Sequence, residues 1–246
     1  MKSVWGLMVL VIFAVGLNSC FDAPTYPDSP EIEFKSVQFV AADTAILLKV
    51  SFKDGDGDLG LSPEGDNTDQ YAARYYFMVG ERKLYYTNDP SALATAPNIV
   101  RYKTKRTNHN YDTLPAYVDP YTCTNWQIIT KTEGVIEKVV DTIYFQNNLN
   151  NKNIFIDFLV KQSNGTFQKY NFFQSKDFCL NYDSRFPVLS KDLTKKSPLE
   201  GDLEYAIPAL GLQFAFSGKT LKLKVRIQDR ALHKSNTIET PEFQLK

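Results

Sequence analysis

Apolar and polar residues alternate with a period of two over three stretches of the chain. Ile46, Leu48, Val50 and Phe52 alternate with Leu47, Lys49, Ser51 and Lys53. Ile154, Ile156, Phe158 and Val160 alternate with Phe155, Asp157, Leu159 and Lys161. Leu221, Leu223, Val225 and Ile227 alternate with Lys222, Lys224, Arg226 and Gln228. A helix repeats every 3.6 residues, so each stretch predicts a strand with one buried face. Shorter patterns predict strands over 31–40, 71–79, 82–87, 125–132, 135–145, 166–173, 203–207, 212–216 and 236–245. Gly80-Glu81, Glu133-Gly134 and Asn164-Gly165 punctuate them as hairpin turns. Helical signal is confined to the alanine-containing stretch 90–96. The pattern therefore predicts an all-β protein, a sandwich.

The stretch 61–152 differs in character, being aromatic and rich in Asn and Thr, with hairpins of its own. It reads as a large β-rich insertion into an immunoglobulin-like or fibronectin-like sandwich occupying 31–246. Strands near 31–40 and 44–53 open that sandwich. Strands near 153–161, 166–173, 219–229 and 236–245 complete it. Two sequential small β domains are the competing arrangement, although no Pro/Gly/Ser linker separates them. Ahead of the first strand, residues 20–30 carry Pro24, Pro27 and Pro30 among small and acidic residues and read as a flexible tether.

Residues 1–19 have another pattern. Lys2 is followed by an apolar run to Leu17, then Asn18, Ser19 and Cys20. The run is too short to span ~30 Å of hydrocarbon and matches the h-region of an export signal. Small or polar residues leading into a cysteine mark the cut that leaves Cys20 to carry acyl chains, so 1–19 is expected to be a lipoprotein signal peptide. Maturation is expected to place the protein outside the cytoplasm on a membrane, with Cys20 as the membrane contact.

Removing residues 1–19 takes away one charge, Lys2, and leaves one more acidic than basic side chain. Such a balance offers nothing to nucleic acid or to anionic lipid. Of three cysteines, Cys20 is used by lipid, leaving Cys123 and Cys179 as an even pair in an oxidising compartment. A disulfide between them is expected, closing a loop of about 57 residues and adding ~4 kcal/mol in the chain-entropy account. Two free thiols are the alternative.

One local motif carries chemistry, Asp54-Gly55-Asp56-Gly57-Asp58-Leu59-Gly60. Carboxylates at alternate positions, spaced by glycines, can wrap their oxygens around a hard cation such as Ca²⁺, as the first half of an EF-hand loop does. The EF-hand match ends there, because Gly65 stands where a bidentate Glu is needed. Glu64, Asp66 or Asp229 can complete the set, Asp229 because loops after the second and sixth sandwich strands leave from the same end. The plain alternative is a solvated Asp-Gly turn, opposed by the mutual repulsion of three carboxylates in one short loop.

Catalytic chemistry has little to stand on. The two histidines, His109 and His233, lie in polar loop sequence, and there is no Gly-x-Ser-x-Gly elbow and no His-x-x-x-His pair. The protein is therefore not expected to be an enzyme; carboxylate pairs across strands are invisible in sequence and leave a hydrolase as a distant third reading. Tyr71, Tyr75, Tyr76, Phe77, Tyr85 and Tyr86 form a candidate platform for stacking a sugar or a partner, against the commoner role of packing across a sheet. Asp43-Thr44-Ala45, Asp112-Thr113-Leu114 and Asp141-Thr142-Ile143 resemble the O-glycosylation signal of exported Bacteroidota proteins.

Four segments together carry a wider resemblance: Phe52 to Gly60, Arg185-Phe186-Pro187-Val188-Leu189, Pro198-Leu199-Glu200-Gly201, and Asp229-Arg230-Ala231 through Ser235-Asn236. They resemble a family of Bacteroidota outer-membrane lipoproteins of unassigned activity. The resemblance implies an anchored β-sandwich and brings no activity with it. The expected function is protein binding, as an accessory subunit of an envelope assembly. The alternative is a calcium-stabilised binder of glycans or other ligands at the cell surface.

Overall fold

The computed structural model describes residues 24–42, 44–62, 69–78, 83–86, 99–101, 126–172 and 181–246, with 83–86 described as backbone. Cys20, Cys123, Cys179, Glu64, Asp66, the turn Gly80-Glu81 and the helical stretch 90–96 lie outside them. The fold is all-β and sandwich-like. One sheet has the order β1-β2-β9, from β1 (Glu31–Val40), β2 (Ala45–Asp54) and β9 (Leu199–Pro208). The facing sheet has the order β11-β10-β7-β8, from β7 (Ile154–Lys161), β8 (Phe167–Lys169), β10 (Leu221–Ile227) and β11 (Ile238–Glu239). Every pairing is antiparallel. With seven sandwich strands counted in chain order, the first, second and fifth form one sheet and the others form the second, a Greek-key order of the immunoglobulin and fibronectin kind.

The alternating positions explain this arrangement. Ile46, Leu48, Val50 and Phe52 of β2 face Ile154, Ile156, Phe158 and Val160 of β7 and Leu221, Leu223, Val225 and Ile227 of β10 across one core. Phe158 stacks on Phe216 at 5.7 Å between ring centres, with Tyr182 4.9 Å away. Each such aromatic or branched side chain contributes roughly 1.5–3 kcal/mol on leaving water.

A third sheet, order β4-β3-β6-β5, comes from the sequence between β2 and β7: β3 (Arg74–Phe77), β4 (Lys83–Tyr86), β5 (Trp126–Glu133) and β6 (Ile136–Asn147). It has a small core of its own, Tyr76, Ile99, Ile129 and Ile143 with Phe145 against them.

Two expected elements differ. The stretch 212–216 is a helical turn, Leu212–Ala215, and not a strand. Its apolar residues recur at every second position, but Gly211, at φ +82°, turns the chain so that Leu212 and Phe216, four apart, share the buried side while Phe214 is 86% exposed. The strand expected over 236–245 shrinks to Ile238–Glu239, because Pro241 cannot donate to a ladder. Beyond it, Phe243 exchanges backbone hydrogen bonds with Leu221. Within the tether stretch, Tyr26 and Pro27 are fastened to the sandwich: the Tyr26 hydroxyl donates to Glu200 at 2.7 Å, and Gly55 N–H donates to the Pro27 carbonyl at 2.8 Å.

Candidate metal centre

Strand parity delivers two carboxylates to one end of the core. Counting by twos along β2 leads from Phe52 to Asp54, and along β10 from Ile227 to Asp229, so two opposing sheets each extend a core-facing row with an aspartate. Asp54 is 0% exposed and Asp229 2%. The loop leaving β2 adds Asp56, 5% exposed, and the half-buried Asp58. One carboxylate oxygen from each of Asp54, Asp56, Asp58 and Asp229 lies within 4.8 Å of the others.

The loop is held by segments far away in sequence. Leu61 N–H donates to the Phe186 carbonyl at 3.1 Å, Leu189 N–H to the Leu59 carbonyl at 3.0 Å, and Ser197 N–H to the Asp56 carbonyl at 3.3 Å. Two glycines make this closeness feasible. Gly57, at φ +71°, would place a Cβ 2.1 Å from the Ser197 carbonyl oxygen, and Gly60, at φ +103°, would place one 2.2 Å from that of Pro187. Gly201 lies under the Phe52 ring, where β2 pairs with β9. The segments around Phe186, Gly201 and Asp229 thus converge on the 52–60 stretch.

Three of the four carboxylates have partial protein partners. Asp229 accepts the His233 backbone N–H at 2.7 Å and lies 2.9 Å from the His233 Nδ1. Asp58 accepts Arg230 N–H at 3.2 Å. The Lys196 ammonium reaches the Asp56 Oδ2 at 3.3 Å. Asp54 is different, for both of its oxygens are buried without a hydrogen-bond partner, as is the Oδ1 of Asp56. A buried polar group left unpaired costs roughly 1–3 kcal/mol, and more when charged.

The electrostatics follow from this geometry. Burial, then the charges of Asp56, Asp58 and Asp229, push the Asp54 carboxyl up to about 7; the nearby Asp58 amide opposes this only weakly. Burial and the Asp58 charge push Asp229 up to about 6 against the pull of His233. Asp58 is also raised, by burial first and Asp56 second. The Asp229 charge raises His233, and the hydrogen bond from Lys196 to Asp56 raises Lys196. The donor set is all oxygen and strongly anionic, which suits a hard cation of 6–8 coordination, and Ca²⁺ better than Mg²⁺, which demands a tighter octahedron and keeps its waters.

Four of the six residues named as candidate metal ligands from sequence come together; Glu64 and Asp66 lie outside the described residues. Of the five tyrosines named as a candidate platform, two are withdrawn from the surface, and the side chains of Tyr85 and Tyr86 lie outside the described residues. Tyr71 and Tyr76 are buried, Tyr76 within the small core of the third sheet, and Tyr75 is half-buried with its hydroxyl bonded to Gln146. Successive residues of β3 point to opposite faces, so Tyr75 sides with Phe77, at 5.6 Å, while Tyr76 meets Phe145. Tyr85 and Tyr86 pair with Tyr75 and Arg74 along the β3–β4 backbone. What the sequence reading missed is Arg230, whose backbone touches Asp58. Its position beside Asp229 was the available signal.

No helix among the described residues is long and apolar enough to cross a membrane. No protein-family model matches the chain, and comparisons with curated proteins and with solved structures likewise give no match.

Proposed function

We propose that this protein is a calcium-binding β-sandwich module, carried outside the cytoplasm on a lipid anchor at Cys20 and acting by binding a partner in the envelope, not by catalysis. The observation that carries the cation reading is Asp54: a fully buried carboxylate with neither oxygen hydrogen-bonded, facing three further carboxylates. Lys196 and His233 offset only part of this clustered charge, and a divalent cation supplies the partner that Asp54 lacks while neutralising the other three groups. Calcium then serves as a rivet between the two sheets, since Asp54 ends β2 and Asp229 follows β10.

The anchor is supported by the sequence of residues 1–20. Pro27, held against Gly55, lies seven residues from Cys20. Seven residues span at most about 25 Å, so an anchor at Cys20 keeps the cation end of the sandwich near the bilayer. The burial of Tyr71 and Tyr76 favours the accessory-subunit role over a glycan platform.

Thermal melting of the full-length protein in mild detergent, with calcium and with chelator, tests the cation. At a calcium concentration 100-fold above Kd the stabilisation is about 2.7 kcal/mol, or roughly 5–10 °C in a chain of this size. Asp54→Asn should abolish the calcium response while melting no lower than wild type in chelator, because it removes an unpaired buried charge. Equal melting of wild type with and without calcium would end the proposal. The partner is tested by quantitative co-purification from native membranes: a stoichiometric envelope protein is expected, and recovery of the chain alone would contradict the subunit role.

A further inference from the structure

Two stretches connect the third sheet to the sandwich, 69–73 ahead of β3 and 148–153 after β6, and hydrogen bonds tie them together. The buried Asn151 side chain donates to the Tyr71 carbonyl at 2.6 Å, the buried Asn148 side chain to the Gln70 carbonyl at 2.8 Å, and Asn148 N–H to the Ala73 carbonyl at 3.0 Å. This root then reaches one residue of the cation end. The Tyr71 hydroxyl donates to the Arg230 carbonyl, and the Arg230 guanidinium lies over the Tyr71 ring, 5.6 Å from its centre. On its other side Arg230 donates its N–H to Asp58 and follows Asp229 directly in the chain.

Resting on the cation reading above, we propose that occupancy of the Asp54–Asp56–Asp58–Asp229 site controls how firmly the third sheet is held to the sandwich, with Arg230 and Tyr71 as the clamp. Asp58 and Asp229 repel one another and Asp54 while ionised. A cation draws them together and fixes the turn 229–231, and the carbonyl that Tyr71 grips is fixed with it. Chelation loosens the same turn, and the root of the third sheet loses its fastening while β2, β7 and β10 keep the core that the two sandwich sheets share. The third sheet is thereby presented in one attitude only when calcium is bound. A partner that recognises both bodies would bind in a calcium-dependent way.

The test is amide hydrogen exchange of the full-length protein in mild detergent, with calcium and with chelator, alongside a calorimetric calcium titration. With calcium 100-fold above Kd, a fully coupled root gains up to about 100-fold protection over residues 70–77 and 141–151. Tyr71→Phe should bind calcium as wild type does, yet lose most of that gain. Asp54→Asn should show no gain because it no longer binds the ion. Calcium binding with unchanged protection at 70–77 in wild type would overturn the clamp and leave the cation site standing. A titration without saturable binding would overturn both. A Tyr71→Phe variant that keeps the full calcium-dependent gain would remove Tyr71 from the clamp and contradict the proposal.

Discussion

The sandwich and the third sheet are both antiparallel and both built from alternating sequence, yet they bury apolar surface differently. In the sandwich, core-facing rows from β2, β7 and β10 meet across one interior that also takes in Leu59, Phe186 and Phe216 from loops. Among the described residues, the third sheet gathers Tyr76, Ile99, Ile129 and Ile143 into a cluster of its own. Beyond them the β5–β6 hairpin runs out as a ribbon whose Val135, Ile136 and Val139 are exposed. A two-stranded ribbon is marginal by itself in water, so this end of the hairpin leans on the part of the third sheet that carries the buried cluster. Alternation alone therefore does not measure stability; what counts is whether a second layer meets the apolar row.

Breaking the sandwich should have the largest effect. Phe158→Ala removes a fully buried ring that contacts Phe172, Tyr182 and Phe216. It should cost about 3–5 kcal/mol and lower the main melting transition for the whole chain, as calorimetry would show. Gly57→Ala comes next. A left-handed alanine plus a clash with the Ser197 carbonyl should cost about 2–4 kcal/mol, and calcium titration of the variant should show weakened binding because the loop can no longer lie against Ser197.

A smaller effect separates the cation end from the rest of the sandwich by its pH dependence. Asp54 titrates near 7 in the folded chain and near 3.9 when unfolded. Its contribution to stability is therefore intact below pH 4 and lost as pH rises through 7. In chelator, wild type should lose stability relative to Asp54→Asn between about pH 4 and pH 7, and calcium should cancel that loss. Melting both proteins across the range checks the sign, and parallel curves would contradict it. The smallest effect on the main transition is expected from Tyr76→Ala. That substitution empties the small core of the third sheet, so exchange protection of β3 and β6 should collapse while the sandwich melts nearly as before. A matching loss in β7 and β10 would merge the two bodies into one cooperative unit.

Much of the sandwich was legible in sequence because its strands obey one parity with one buried face. The strand expected at 31–40 is found at Glu31–Val40, and those at 44–53 and 153–161 shift by about one residue. Parity misled at 212–216, where a left-handed Gly211 starts a helical turn and Phe214 points into solvent. The acidic loop was legible as chemistry, and Asp229 joined it through loop position. Its burial was legible too, had the inward parity of Ile46 to Phe52 been carried two residues further to Asp54. The role of Arg230 was legible only as its position beside Asp229, because a backbone amide and carbonyl leave no trace in residue type. The parting of Tyr75 and Tyr76 was legible as well, because the alternation that builds a strand sends them to different faces.

The most direct test of the account is a calorimetric titration of the metal-stripped full-length protein with calcium near pH 7, repeated in buffers of different ionisation enthalpy. One calcium should bind per chain, with protons released because Asp54 and Asp229 are held partly protonated until the ion arrives; Asp54→Asn should give no heat of binding. A wild-type titration without saturable heat would contradict the claim that this buried carboxylate cluster is a cation site.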